Sequence, residues 1–204
     1  MFKRRMRPLP LQPEDLNVSE NAREAILEAA KIAAQHFGYS GINFRSIGET
    51  VGIKNASIYY HFPSKADLGA AVAKRYWQDT ASALEAIRAE NPDPLQCMRI
   101  YPSIFRKSLE DGNRLCLSSF MAAEYQDLPE DVKKEVLAFA DTNVAWLAAV
   151  LTDIGNGSAA DNERRARAIY TAIAGAQLIA RTRIDIGLYD ELVQSYQDAG
   201  LIPA

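Results

Sequence analysis

Residues 43–65 read NFRSIGETVGIKNASIYYHFPSK, and this stretch decides the fold. Asn43 stands where an N-cap is wanted, and Ile47 and Val51 fall four apart as the buried positions of a short helix over about 44–51. Gly52 follows where a left-handed backbone ends a helix at little cost. A second short helix is expected over about 55–61, with Pro63 as its stop. Around it Lys54, Asn55, Ser57, Tyr59, Tyr60 and His61 can all hydrogen-bond, while Ile58 and Phe62 are left for the core. Two short helices joined through a glycine-containing turn are the build of a helix-turn-helix, whose second helix enters a major groove. Asn55 suits the N6 and N7 edge of adenine, Arg45 and Lys65 suit phosphates, and the tyrosine hydroxyls can reach backbone oxygens. Spacing alone is equally compatible with an ordinary pair of polar short helices.

Outward from this stretch the chain reads as helical almost throughout. Asn21 and Glu24 have the spacing of a capping box, and Ile26, Ala29 or Ala30, Ala33 and Phe37 then recur at helical intervals until Gly38, which predicts a helix over about 22–37. Ser64 can cap another that turns Leu68, Val72 and Tyr76 inward. Breaks are expected at Pro92 and Pro94, at 110–113 and at 155–158. Asp127, Pro129 and Glu130 signal a helix start, and Val132, Val136, Phe139 and Leu151 keep one face to about 153. The last long helix, about 163–183, is apolar nearly all round and rich in small residues. Such a helix needs cover on several sides, from a second copy of the chain or as the centre of a monomeric bundle. Residues 1–19, basic and proline-bearing, read as a flexible arm.

Composition bounds the function. Of 204 residues, 48% are hydrophobic and 24% charged, which excludes a disordered or fibrous polypeptide. No uninterrupted apolar run approaches the roughly 18 residues of a membrane span, and none follows the basic start as a signal peptide would, so no membrane association is expected. Two cysteines, Cys97 and Cys116, make no disulfide framework and fit a cytoplasmic protein. The net charge of −3 hides an asymmetry. Residues 1–77 hold eleven Lys and Arg against seven Asp and Glu, a net of +4, and residues 78–204 hold twelve against nineteen, a net of −7. A basic first unit on an acidic body fits a polyanion at one end only. No metalloprotease, nucleophile-elbow, phosphate-loop, dinucleotide or CxxC motif occurs, so no catalytic residue, metal or cofactor is expected. A helical adaptor that binds protein instead of DNA is the competing class.

At this point the sequence resembles a family. Residues 22–68, AREAILEAAKIAAQHFGYSGINFRSIGETVGIKNASIYYHFPSKADL, are similar to the N-terminal domain of TetR/AcrR-type transcriptional regulators, over about 20–77 in all. The most specific part is the register of Gly52, Ser57, Ile58, Tyr59, Tyr60, His61, Phe62, Ser64, Lys65 and Leu68. The resemblance implies an all-α protein: an N-terminal three-helix helix-turn-helix DNA-binding domain (20–77) and a C-terminal helical ligand-binding and dimerisation domain (78–204). It also implies a homodimeric regulator, by expectation a repressor, that binds a near-palindromic double-stranded operator and leaves it when a small-molecule inducer binds. Asn55, Ala56 and Ser57 would then sit against bases, Tyr59, Tyr60 and His61 along the groove wall, and Arg45 and Lys65 on phosphates, with Lys54 beside them. Gly48 and Gly69 depart from the family pattern, where alanine and a larger apolar residue are usual. Each glycine costs a helix about 1 kcal/mol relative to alanine, so looser helices are expected.

The C-terminal body carries weaker signals. Residues 113–136, NRLCLSSFMAAEYQDLPEDVKKEV, resemble a branch whose members respond to electrophiles or small unsaturated acids, with a cysteine at the place of Cys116. Cys116 is then either a sensor, its thiol activated if Lys107 or Arg114 lies close, or buried packing. Tyr101, Phe105, Cys116, Phe120, Met121, Trp146, Tyr170 and Gln177 are the candidate ligand-binding residues, and the same residue types serve equally as core. Ala168, Ala172, Gly175, Ala176 and Ile179 are the candidate dimer contacts, small enough to let a second backbone approach.

Overall fold

The computed structural model describes residues 13–155 and 157–203, the first seven of them by backbone alone. Among the described residues there are ten α-helices and no strand. They are α1 (Pro13–Phe37), α2 (Phe44–Val51), α3 (Asn55–His61), α4 (Lys65–Glu90), α5 (Pro94–Ile100), α6 (Ser103–Glu110), α7 (Leu117–Ala123), α8 (Glu130–Ile154), α9 (Ala159–Arg183) and α10 (Ile186–Asp198). Single 3-10 turns, Tyr39–Gly41 and Tyr125–Asp127, follow α1 and α7.

Local chemistry explains most of the boundaries. The Asn43 side chain accepts from the Ser46 N–H, and the Ser64 hydroxyl accepts from that of Asp67, so α2 and α4 start at satisfied caps. Gly52 ends α2 in the left-handed conformation at φ 77°. Ser158 and Asp161 make the reciprocal capping box that opens α9. Two expectations need correction. The helix expected over 22–37 begins at Pro13, so Asn21 lies inside α1 and not at its start, and residues 13–19 of the expected arm are helical. The rest of that arm, residues 1–12, lies outside the described residues. Helix α10 was not anticipated, although Ile186, Tyr189, Leu192, Val193 and Tyr196 recur at helical spacing and pack on the second core, Tyr189 most deeply.

Two hydrophobic cores share the long helices. In the first, Ile26, Ala30 and Ala34 of α1 pack with Ile47, Ile58, Phe62, Leu68 and Val72, and also with Leu117 and Met121 of α7 and Val132 of α8. The second gathers Leu84, Met98, Tyr101, Phe105, Phe139, Leu147, Ile169, Ile173 and Tyr189. Each fully buried side chain of this size contributes about 1.5–3 kcal/mol from removal of apolar surface from water. Helices α4 and α8 enter both cores, so the N-terminal unit is braced on the body and does not hang from a linker.

The two unusual glycines are places of close approach. A Cβ on Gly69 would stand 2.6 Å from the Tyr39 ring, and one on Gly48 would stand 2.9 Å from the Ile53 carbonyl oxygen. The expected looseness is therefore corrected: each glycine lets a neighbour pack where a side chain would exclude it.

Among the described residues one helix, α8, is long and apolar enough to cross a membrane. That revises the expectation drawn from uninterrupted apolar runs. Its apolarity is divided between a core face that packs on α4, α5 and α9 and an alanine-rich outer face.

Candidate nucleic-acid interface

Helix α3 stands on α2 with one side in the core and the other in solvent. Ile58 and Phe62 are buried, and Lys54, Asn55, Ala56, Ser57, Tyr59 and Tyr60 are exposed. Burial at 58 and 62 follows from their four-residue spacing, which puts them one turn apart on the same stripe. Tyr59 is held by an edge-to-face contact with Phe44 of α2, ring centroids 4.8 Å apart. Tyr60 is 71% exposed and meets the His61 ring edge-on. Its hydroxyl makes no hydrogen bond among the described residues and is open to an outside partner.

The flanking cations differ. Arg45 projects from α2 into solvent and makes an exposed i,i+4 pair with Glu49 at 3.2 Å, which is easily exchanged for a phosphate. Lys65, at the first position of α4, is half-buried: its ammonium lies 4.6 Å from the centre of the Tyr39 ring and donates to the Ser40 carbonyl at 3.2 Å. Burial lowers its pKa, and the nearby charge of Glu124 partly restores it. His61 is lowered by burial and then by the charge of Arg23. Of the site residues expected from sequence, Arg45, Lys54, Asn55, Ala56, Ser57, Tyr59 and Tyr60 are exposed, His61 is half-buried, and Lys65 turns toward the joint between α1 and the body.

That joint was not legible in the sequence. Tyr39 packs its ring on Gly69 and beneath Lys65, and its N–H donates to the Glu124 carboxylate beyond α7. From α9, the Arg181 guanidinium reaches the His36 carbonyl at 3.5 Å and stacks over Phe120. Two parts of the body, Glu124 after α7 and Arg181 of α9, therefore hold the end of α1 and the turn from which the chain enters α2.

A helix-turn-helix with solvent-facing polar groups on its second helix, mounted on an all-helical body, agrees with the comparisons. Residues 26–72 match the family described as bacterial regulatory proteins, tetR family. The chain is 38% identical over 69 residues to the HTH-type transcriptional repressor AcnR of Corynebacterium diphtheriae, an alignment that spans 34% of each protein. It is 25% identical over 193 residues to the HTH-type transcriptional regulator TtgR of Pseudomonas putida, covering 90% of this chain and 91% of that one. A TetR-family regulator from Agrobacterium tumefaciens superposes with a TM-score of 0.83 at 28% identity, over 91% of this chain and 100% of the other. Residues 26–72 carry the DNA-binding unit of the TetR family, and the whole chain is similar to TetR-family transcriptional regulators. Like its relatives it is a regulator and not an enzyme.

Within this regulator the expected ligand residues do not form one site. Tyr101, Phe105, Cys116, Trp146 and Tyr170 lie together in the second core, and Gln177 is hydrogen-bonded to the backbone of two of them. Met121 belongs to the first core, and Phe120 lies under Arg181 at the joint. The buried group is knit by hydrogen bonds that sequence reasoning missed. The Tyr101 hydroxyl donates to Asn143 Oδ1 at 3.0 Å, and the Asn143 amide donates to the Phe139 carbonyl. Gln177 accepts the Cys116 N–H at 3.0 Å and donates to the Phe105 carbonyl at 2.6 Å. Asn143 had a signal: it is a polar residue on the stripe that carries Phe139, Trp146 and Leu147.

The activated-thiol reading of Cys116 is corrected. Its side chain is fully enclosed, and burial raises its pKa more than hydrogen bonds from Ser119 and Tyr76 lower it. Arg114 is engaged with Asp111 instead. Of the expected dimer contacts, Ala168, Ala172, Gly175 and Ile179 retain exposure, but Ala176 is 1% exposed and packs into the second core. The last long helix is less uniformly open than its composition implied, because one of its faces is already used inside the protomer.

Proposed function

We propose that this chain is a ligand-responsive repressor that binds a near-palindromic operator as a homodimer. The DNA-reading unit is residues 20–77, and the sensing and dimerising body is residues 78–204. The observation that carries the reading is the outer face of α3, where Asn55, Ser57, Tyr59 and Tyr60 are exposed on a helix anchored through Ile58 and Phe62. Asn55, Ala56 and Ser57 meet base edges, Tyr59, Tyr60 and His61 line the groove, and Arg45, Lys54 and Lys65 serve phosphates.

Dimerisation is supported by what α8 and α9 leave uncovered. Between them runs a groove of about 680 Å³ lined by Ala145, Ala149, Thr171 and their neighbours. Leu137 is 52% exposed, Ile179 49% and Leu178 46%, a concentration of apolar surface that a second copy would cover. Four helices from two chains would then set the spacing of the recognition helices to a whole number of DNA turns. A cytoplasmic location is part of this reading, and two free, buried cysteines and an operator as partner suit it.

The test combines light scattering with gel shifts on the DNA upstream of the chain's own gene. The wild type should be a dimer that shifts this DNA, and Ala172→Glu, a charge in the small-residue face, should give monomers with little operator affinity. An unchanged dimer would move the interface elsewhere. Failure of the wild type to prefer any genomic fragment over random DNA would remove the operator-binding reading.

A further inference from the structure

Where α1, α4 and α6 meet there is a cavity of about 260 Å³, lined by none of the residues expected from sequence to bind a ligand. Its walls come from both halves of the regulator: Lys31 and Gln35 of α1, Tyr76 of α4, Ile104 and Lys107 of α6, and Arg114 beyond it.

Two buried polar atoms of this lining have no hydrogen-bond partner among the described residues. They are Oε1 of Gln35, a residue 4% exposed, and Nε of Arg114. Such atoms are rare in folded proteins, since each has given up its bonds to water. The charges do not cancel either. Lys31 is paired with Glu28, Arg114 with Asp111, and Asp79 on the wall with Arg75. Lys107 has no ion-pair partner among the described residues, so the net surplus is one ammonium next to a buried guanidinium.

This donor set defines its occupant. A surplus cation beside an open guanidinium N–H calls for a carboxylate, the anion that such groups bind with charge-assisted hydrogen bonds. Gln35 Oε1 is an acceptor and calls for a donor on the same molecule. Ile104, Ala83 and the Tyr76 ring provide an apolar wall for a short carbon chain. The volume is below the roughly 300–1,000 Å³ of drug-sized sites. We propose that this cavity binds a small hydroxy-carboxylate, the carboxylate on Lys107 and Arg114 and the hydroxyl on Gln35 Oε1.

The proposal rests on the reading of the chain as a ligand-responsive regulator and names where and to what it responds. Gln35 lies two residues before the end of α1, and the chain passes from there through the Tyr39–Gly41 turn into α2. A molecule held by α1 on one side and by α6 and Arg114 on the other has an affinity that depends on how these elements sit. It therefore shifts the population toward one placement of the DNA-reading unit.

Calorimetric titration of the full-length protein with lactate, glycerate and 3-hydroxybutyrate tests this, with butyrate and 1,3-butanediol as probes lacking the hydroxyl and the carboxylate. At least one hydroxy acid should bind. Loss of either group, or Lys107→Ala, should weaken binding by about tenfold or more. Lys107 is exposed, so its variant keeps the fold. Gln35→Leu should abolish the preference for the hydroxylated probe while leaving thermal stability equal or higher, because an unpartnered acceptor is gone; a purely structural Gln35 would lose stability instead. Operator affinity should change with the hydroxy acid and not with butyrate. The site is overturned if no hydroxy acid binds, or if binding is unmoved by both substitutions. Operator release by an unrelated compound in Lys107→Ala as in wild type would also overturn the site while leaving the regulator reading intact. Absence of any operator preference would strike that reading itself.

Discussion

The Glu124 carboxylate accepts a hydrogen bond from the backbone N–H of Tyr39 at 2.5 Å, joining the end of α7 to the turn between α1 and α2 across 85 positions of sequence. The same turn carries the Tyr39 ring onto Gly69 and under the ammonium of Lys65. The end of α7 is thereby tied to the root of the helix-turn-helix. Glu124→Ala should lower stability by about 1–3 kcal/mol, the cost of a charge-assisted bond at a partly buried site. Gly69→Leu should cost at least as much, because it displaces the Tyr39 ring. Urea unfolding of the two variants and of their combination checks this, and the combined loss should fall short of the sum, since both act on Tyr39.

At the DNA face the roles separate by sequence dependence. Asn55→Ala should cost about 1–3 kcal/mol on the operator and little on random duplex, whereas Arg45→Ala should weaken both alike and reduce the salt dependence of binding. Fluorescence anisotropy on the two duplexes at several salt concentrations reads both effects.

His61 makes stability pH-dependent in a defined direction. Its folded pKa lies below the 6.5 of the free side chain, first because of burial and then because of Arg23. As pH falls, the unfolded chain takes up this proton before the folded one, so the His61 contribution is present above 6.5 and is lost on acidification through the folded pKa. Wild type should therefore lose more stability than His61→Asn between neutral pH and the onset of carboxylate titration. Parallel denaturation curves for the two proteins would show that His61 is not responsible.

In the second core, Tyr101 and Asn143 depend on each other. Tyr101→Phe removes the donor to Asn143 Oδ1 and should cost about 1–3 kcal/mol. Pairing it with Asn143→Leu should recover part of the loss, because no buried polar atom of the pair is then left without its partner. A double-mutant cycle gives the coupling directly.

The enclosed thiol of Cys116 should resist modification. With the side chain fully buried and its ionisation disfavoured, a disulfide reagent should label it only on the timescale of unfolding. Labelling in urea restores the rate. Fast labelling of the folded protein at Cys116, located by peptide mapping, would reopen the sensor reading.

The helix-turn-helix and its outward residues were legible from sequence because they are set by local rules. Asn43 and Ser64 cap their own helices, Gly52 ends α2, and the four-residue spacing of Ile58 and Phe62 leaves the opposite side of α3 to solvent. Helix α8 was legible from its start signal at Pro129 and Glu130 and its periodic stripe, whereas α9 was legible only from composition and begins at Ala159, ahead of the expected 163, where Ser158 and Asp161 form its capping box. Tertiary structure decided whatever depends on which helix lies beside which. It put Ala176 inside and Ala168 outside on one small-residue helix, drew Lys65 onto Tyr39, enclosed Cys116, and split the expected ligand residues between two cores. It also brought Gln35 of α1 to the same cavity as Lys107 of α6 and Arg114 just beyond it. Caps and periodicity act within a few residues, whereas burial and charge pairing depend on neighbours supplied by packing, and those neighbours come from distant parts of the chain.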